Sequence, residues 1–282
     1  MITMMFRKIS FSLIIVIGLI GLAACGNKSK PKDAEETTKP SEEISKPSKE
    51  SMDTQDPDFE RAAMVNVELG LGYLTQGQVA RAKTKLTHAL KLAPNLAEVR
   101  SAMAYFLEMV GDYKDAELEH KKAASLSSAK GAVFNNYGAF LCRRGRFKEA
   151  DQAFHTAIND KSYPRTAEVY ENAGLCAIKW KGQDIKAAEY LTTAIRRDPN
   201  RPNAVLELAS LELKSGKFRE AGDLLARYKS IAEPSPKSLW LGIQVARALN
   251  DENSAASQGL MLKNLFQGSP EYELFVNSEK NE

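Results

Sequence analysis

Small and large apolar residues recur along the chain at a fixed interval. Ala82, Ala116, Ala150, Ala187, Ala221 and Ala255 follow one another at separations of 34, 34, 37, 34 and 34 residues. Four residues after the first five stand Leu86, His120, Phe154, Leu191 and Leu225, and seven after the first four stand Ala89, Ala123, Ala157 and Ala194. Offsets of four and seven put these residues on one face of a helix. Five residues before each alanine comes Gly77, Gly111, Gly145, Gly182, Gly216 or Asn250, residue types that tolerate positive φ where a helix ends. The pattern therefore predicts a tight turn inside each period, and so a pair of helices, A then B. Leu69-Gly70-x-x-Tyr73, Met103-Ala104-x-x-Leu107 and Tyr137-Gly138-x-x-Leu141 mark the first three A helices, and Pro94 and Pro199 end B helices.

A 34-residue period with this content is the mark of a tetratricopeptide (TPR) array. The fold class it predicts is all-α, a right-handed TPR superhelix of about six helix-turn-helix repeats within residues 58–282. The repeats fall at about 63–96, 97–130, 131–164, 165–201, 202–235 and 236–268. Small residues recur because neighbouring helices must approach closely, and the large ones fill the gaps between them. The sixth repeat keeps Ala255 but has Gly259 where a large residue belongs, which predicts that it caps the array. The three additional residues of the long interval are expected around 160–165 and 177–182, lengthening a loop and distorting the A helix between.

The N-terminus has a different pattern. Arg7 and Lys8 precede an apolar stretch from Phe11 to Leu22 that is short for a membrane span, and Leu22-Ala23-Ala24-Cys25 follows. Residues 1–24 read as a secretory signal whose end looks like a bacterial lipobox, with Cys25 as the lipid attachment site. Several acyl chains there would anchor the protein stably. Gly26, rather than Asp, follows Cys25, which points to the outer membrane and a periplasmic domain held at its inner leaflet. Residues 25–57 complete this part: the lipidated cysteine and a stretch without aromatic residues, rich in Lys, Glu, Ser, Thr and Pro, expected to be a disordered tether.

The whole chain has 282 residues, with 39 Lys and Arg against 36 Asp and Glu. Removing residues 1–24 takes away Arg7 and Lys8 and no acid, lowering the formal charge from +3 to +1. That balance predicts no nucleic acid partner and no electrostatic attachment to lipid. The chemistry is equally sparse. His88, His120 and His155 lie on B helices of different repeats without metal-ligand spacing, and His120 occupies a core position where a satisfied histidine is expected. Gly70-Leu71-Gly72 follows no strand and reads as packing. No G-x-S-x-G occurs. The expectation is a protein without enzymatic activity, small-molecule substrate, metal or cofactor beyond the lipid on Cys25. An α-solenoid instead offers a face of A helices to a protein segment.

On that face, Val67, Leu71 and Leu74 form an apolar stripe at i, i+4 and i+7 beside the Leu69 and Tyr73 core positions. The stripe either receives the apolar side of a partner helix or is covered by residues 58–63 or by core packing. Asn135, Asn136 and Asn172 either hold the backbone of an extended ligand or bond to loops between repeats. Arg143, Arg144 and Arg146 read as a solvated face. Cys142 and Cys176 fall on A helices of consecutive repeats, so an oxidising periplasm predicts a bridge between them, with two separately buried thiols as the alternative.

Three stretches are more specific than the period: Asn135-Asn136-Tyr137-Gly138-Ala139-Phe140-Leu141-Cys142, Glu171-Asn172-Ala173-Gly174-Leu175-Cys176 and Ser238-Leu239-Trp240-Leu241-Gly242. Together with the tail Leu265-Phe266-Gln267-Gly268-Ser269-Pro270-Glu271-Tyr272, they resemble the type IV pilus biogenesis and stability lipoproteins, the PilF/PilW pilotin family. Gln267 departs from that family's usual proline. The resemblance implies a six-TPR outer-membrane lipoprotein that binds the pilus secretin and promotes its outer-membrane localisation and multimer assembly. It further implies that Val67, Leu71 and Leu74 on the first repeat make the secretin contact. A reading from another class is a periplasmic TPR scaffold stabilising a different envelope or outer-membrane assembly complex.

Overall fold

The computed structural model describes residues 57–126 and 128–280. The expected signal peptide, Cys25 and the tether up to residue 56 lie outside the described residues. Pro57, assigned to the tether from composition, instead opens the first helix, a position that suits a residue with no N–H to donate.

The described residues form helices and no strand. Six antiparallel pairs follow in chain order: α1 (Pro57–Thr75) with α2 (Val79–Leu92), α3 (Ala97–Met109) with α4 (Tyr113–Ser125), and α5 (Gly131–Arg143) with α6 (Phe147–Asn159). Then come α7 (Thr166–Lys179) with α8 (Asp184–Arg197), α9 (Pro202–Lys214) with α10 (Phe218–Ile231), and α11 (Pro236–Ala248) with α12 (Glu252–Phe266). A last helix, α13 (Pro270–Glu279), stands alone. Each odd helix packs on its own even partner and on the next pair, the all-α arrangement of a TPR solenoid.

The recurring alanines are the closest contacts. Ala82, Ala116, Ala150, Ala187 and Ala221 are fully buried, and Ala255 nearly so. In the first, third and fourth pairs the large B-helix residue presses into a small notch on the A helix. A Cβ added at Gly70 would lie 2.7 Å from Leu86, at Gly138 2.8 Å from Phe154 and at Gly174 2.7 Å from Leu191. The turn between A and B requires positive φ: five glycines have it, and Asn250 takes the same place in the sixth pair with φ of 58°.

Several expectations are corrected here. Gly72 faces open space, so only Gly70 of the Gly-Leu-Gly stretch is there for packing. Leu69 is 44% exposed while its counterpart Met103, one period on, is buried, because among the described residues no repeat precedes the first. The A helix α7 runs unbroken from Thr166 to Lys179; relative to the preceding period one additional residue falls in the loop 160–165, one in α7 and one in the turn 180–183. That loop folds back on the start of α5, where the Asp160 carboxylate accepts the Gly131 N–H at 2.7 Å and a Cβ at Gly131 would meet Tyr163. Finally, Gly259 is small because the ring of Phe275 on α13 lies over it, with Tyr272 adding to the same cluster. The end of the array is closed by α13 and not by a degenerate sixth repeat.

The notch accounts for two opposite effects of one substitution. Gly72→Ala should raise stability by about 1 kcal/mol through helix propensity. Gly138→Ala should lower it by about 1–3 kcal/mol, because the Phe154 ring must give way. Chemical denaturation reads both; stabilisation by the two alike would contradict the notch.

Candidate functional site

The A-helix face of the first three repeats holds a cavity of about 390 Å³. Met64, Val67 and Leu71 of α1 form one wall, Glu98, Ser101, Ala102, Tyr105 and Glu108 of α3 the middle, and Asn136 and Arg143 of α5 the far side. His120 of α4 contributes to the lining from below. These positions are set by the period: Met64, Glu98 and Ala132 are 34 residues apart, as are Leu71, Tyr105 and Ala139, and all six line the cavity. A larger cavity of about 530 Å³ lies between α10, α11 and α12, far along the chain from the predicted residues. The smaller one is the candidate, because among the described residues the buried polar side-chain atoms that lack a partner all belong to its lining: Glu98 Oε2 and both ring nitrogens of His120.

His120 occupies the place that Leu86, Phe154 and Leu191 occupy in other repeats, yet it is not the satisfied core histidine expected there. Its side chain is 1% exposed and sits against the rings of Tyr137, centroids 5.5 Å apart, and Phe140, 4.9 Å apart. Burial pushes its pKa down to about 4; Glu108 pulls the other way and Arg143 adds to the depression. The imidazole is therefore neutral, with one N–H and one acceptor nitrogen. Glu108 itself is buried and accepts two bonds from the Arg143 guanidinium, at 2.5 and 2.7 Å.

Of the apolar stripe, Val67 is buried by core packing, Leu71 is half-buried, and both line the cavity. Leu74 packs with the N-terminal core cluster and is absent from the cavity lining. Residues 58–63 cannot fold back over the stripe, since they continue α1 itself. The amides bond from A helix to A helix, not to loops. Asn135 is buried, donates to Glu168 and accepts from Asn172 at 3.1 Å, and neither Asn135 nor Asn172 lines the cavity. Asn136 donates to Ser101 at 3.2 Å and stays exposed on the cavity. The arginines are not a merely solvated face. Arg143 holds Glu108, Arg146 bridges Glu117 and Glu149, and Arg144 lies 4.4 Å from the centre of the Tyr113 ring. Cys142 on α5 and Cys176 on α7 are joined in a disulfide, with their Cα atoms 5.8 Å apart. Cys25 lies outside the described residues.

The tetratricopeptide repeat family profile matches residues 185–238. The type IV pilus assembly protein PilF of Pseudomonas aeruginosa is 35% identical over 220 residues, spanning 78% of this chain and 87% of that protein. The chain belongs to the PilF/PilW family of type IV pilus biogenesis TPR proteins. A solved structure of P. aeruginosa PilF superposes with a TM-score of 0.71 at 34% identity, covering 78% of this chain and 99% of that one. PilW, described as a widely conserved type IV pilus biogenesis factor, superposes with a TM-score of 0.68 at 26% identity, covering 76% and 98%. An uncharacterized protein of Haemophilus influenzae is 37% identical over 126 residues, 45% of this chain and 70% of that one.

In this PilF/PilW-family chain, sequence reasoning missed Glu98, Tyr105 and Glu108 as site residues. The signal was present: each lies one period after a residue of the first A helix, at Met64, Leu71 and Leu74. It also missed the ties between repeats. Asp151 with Lys186, Glu171 with Arg201, Asp184 with Lys214 and Glu207 with Lys237 are opposite charges about one period apart.

Two measurements follow from this geometry. Between pH 6.5 and 4 the unfolded chain takes up a proton at His120 that the native chain does not, so stability falls as pH drops through that window, by about 3 kcal/mol in all. His120→Leu should lose that component, giving a shallower acid slope than the parent; parallel slopes would contradict a buried neutral imidazole. Iodoacetamide added to the unfolded, unreduced chain should leave Cys142 and Cys176 unmodified, and reduction should lower stability by about 4 kcal/mol. Labelling of both thiols without reductant would rule the bridge out.

Proposed function

We propose that this protein is a non-enzymatic pilotin, a lipoprotein held by Cys25 at the periplasmic face of the outer membrane, which binds the type IV pilus secretin and promotes its localisation and multimer assembly there. Family membership supports the pilus role, and the Leu-Ala-Ala-Cys sequence supports the anchor. The observation that carries the binding role is the cavity on the first three repeats, where the Val67 and Leu71 wall adjoins polar groups that lack partners. Such a surface gains from a ligand twice, through apolar area removed from water and through hydrogen bonds for groups already desolvated.

The mechanism is mechanical coupling. Acyl chains on Cys25 commit the protein to the outer membrane. A secretin segment held on the A-helix face then travels with the anchor.

Leu71→Glu and Tyr105→Glu should each reduce the secretin that co-purifies by about tenfold or more, while Leu260→Glu on exposed α12 leaves it unchanged. Cys25→Ser should leave a folded but mislocalised domain and fewer outer-membrane secretin multimers. Normal multimers in the outer membrane of a deletion strain would overturn the pilotin role.

A further inference from the structure

We propose that the cavity between α1, α3 and α5 is a socket for a lysine or arginine side chain carried on an otherwise apolar segment of the bound partner, with the Glu98 carboxylate as its acceptor. The proposal rests on the reading that this face binds a protein segment, and adds what chemistry that segment must present.

Three observations converge on a cation. Glu98 Oε2 is buried and has no hydrogen-bond partner among the described residues. Arg143, the cation of the lining, grips Glu108 with both arms of its guanidinium, and Arg100, two residues along α3 from Glu98, donates to Glu119 at 2.8 Å. The charged groups lining the cavity are thus one ion pair, Glu108 with Arg143, and one carboxylate without a counter-charge. Glu98 as a residue is half-buried, and its enclosed Oε2 left unpaired is costly; the group that relieves the cost is a positively charged donor.

The rest of the lining matches the body of such a side chain. Met64, Val67, Leu71 and Tyr105 offer apolar surface for the methylene stem of a lysine or arginine, whose charged head reaches beyond it. His120, 1% exposed and without a partner at either nitrogen, is neutral, so it sets no charge against an incoming cation and offers an acceptor nitrogen. An anionic ligand would meet the Glu98 carboxylate with no free cation in the lining to offset it. A purely apolar ligand would leave Glu98 and His120 buried and unpaired.

The test uses the lipidated full-length protein in detergent and an array of 12-residue amphipathic peptides that share their apolar residues and differ at one position, Lys, Arg, Gln or Glu. The parent should bind the Lys and Arg peptides about tenfold more tightly than the Gln peptides and more tightly still than the Glu peptides. In Glu98→Gln, which keeps the side-chain shape, that preference should vanish while the thermal midpoint stays near the parent's. Equal binding of all four peptides, a preference that survives in Glu98→Gln, or no binding of any peptide would overturn the socket. Capture of solubilised secretin, measured in parallel, separates the two readings. Undiminished capture by Glu98→Gln sinks the socket and leaves the secretin partner standing. Failure of the parent protein to capture secretin, with its own lysine preference intact, overturns the secretin partner and leaves the socket standing.

Discussion

The first, third and fourth repeats of this protein each depend on one contact, a large B-helix side chain seated in a notch on its own A helix. Leu86 over Gly70, Phe154 over Gly138 and Leu191 over Gly174 are so close that a single added carbon would collide. Close packing of this kind removes apolar surface from water and fixes the distance between the two helices, which in turn fixes where the next pair can sit. The fully buried alanines let the B helices approach in the same way. Once that spacing is set, A-helix positions one period apart are brought side by side, and the inner face of the array is decided before any binding residue is chosen.

His120 stands out against this regularity. It fills the knob position of the second repeat with an imidazole that has no hydrogen-bond partner among the described residues, packed against Tyr137 and Phe140 where a leucine or phenylalanine would cost less. A polar group in an otherwise consistent apolar series is a local rule broken, and such breaks concentrate at functional sites. The cavity above it has a second one, the unpartnered Glu98, within a frame held by the Glu108–Arg143 pair and the Asn136–Ser101 bond. Rigid surroundings with unpaired polar atoms are what a preorganised binding surface consists of.

Much of the fold was legible in the chain because the constraints behind it admit few residue types. Positive φ selects glycine or asparagine, and the turns at Gly77 through Asn250 follow from that. Close helix approach selects glycine and alanine, so the period could be read directly. What depends on three helices meeting was harder to see. Arg143 and Arg146 look solvated when each is read alone, and only the fold places Glu108 and Glu117 beside them. Leu69 looked like core because the pattern treats every repeat alike, whereas among the described residues no repeat precedes the first. Helix α13 was hidden because it has no counterpart in the period; the unexplained Gly259 was its trace, since small size there is a response to Phe275.

Family membership ties the chain to type IV pilus biogenesis, and the geometry directs attention to one face of the first three repeats. The central claim is that the proposed secretin partner docks there and not along the outer B helices. A photo-crosslinking amino acid placed in living cells at Tyr105, on the cavity rim, and separately at Ile185, 80% exposed on α8, tests this most directly. Docking at the A-helix face predicts a secretin adduct from position 105 and none from position 185. An adduct from position 185 with none from position 105 would contradict it.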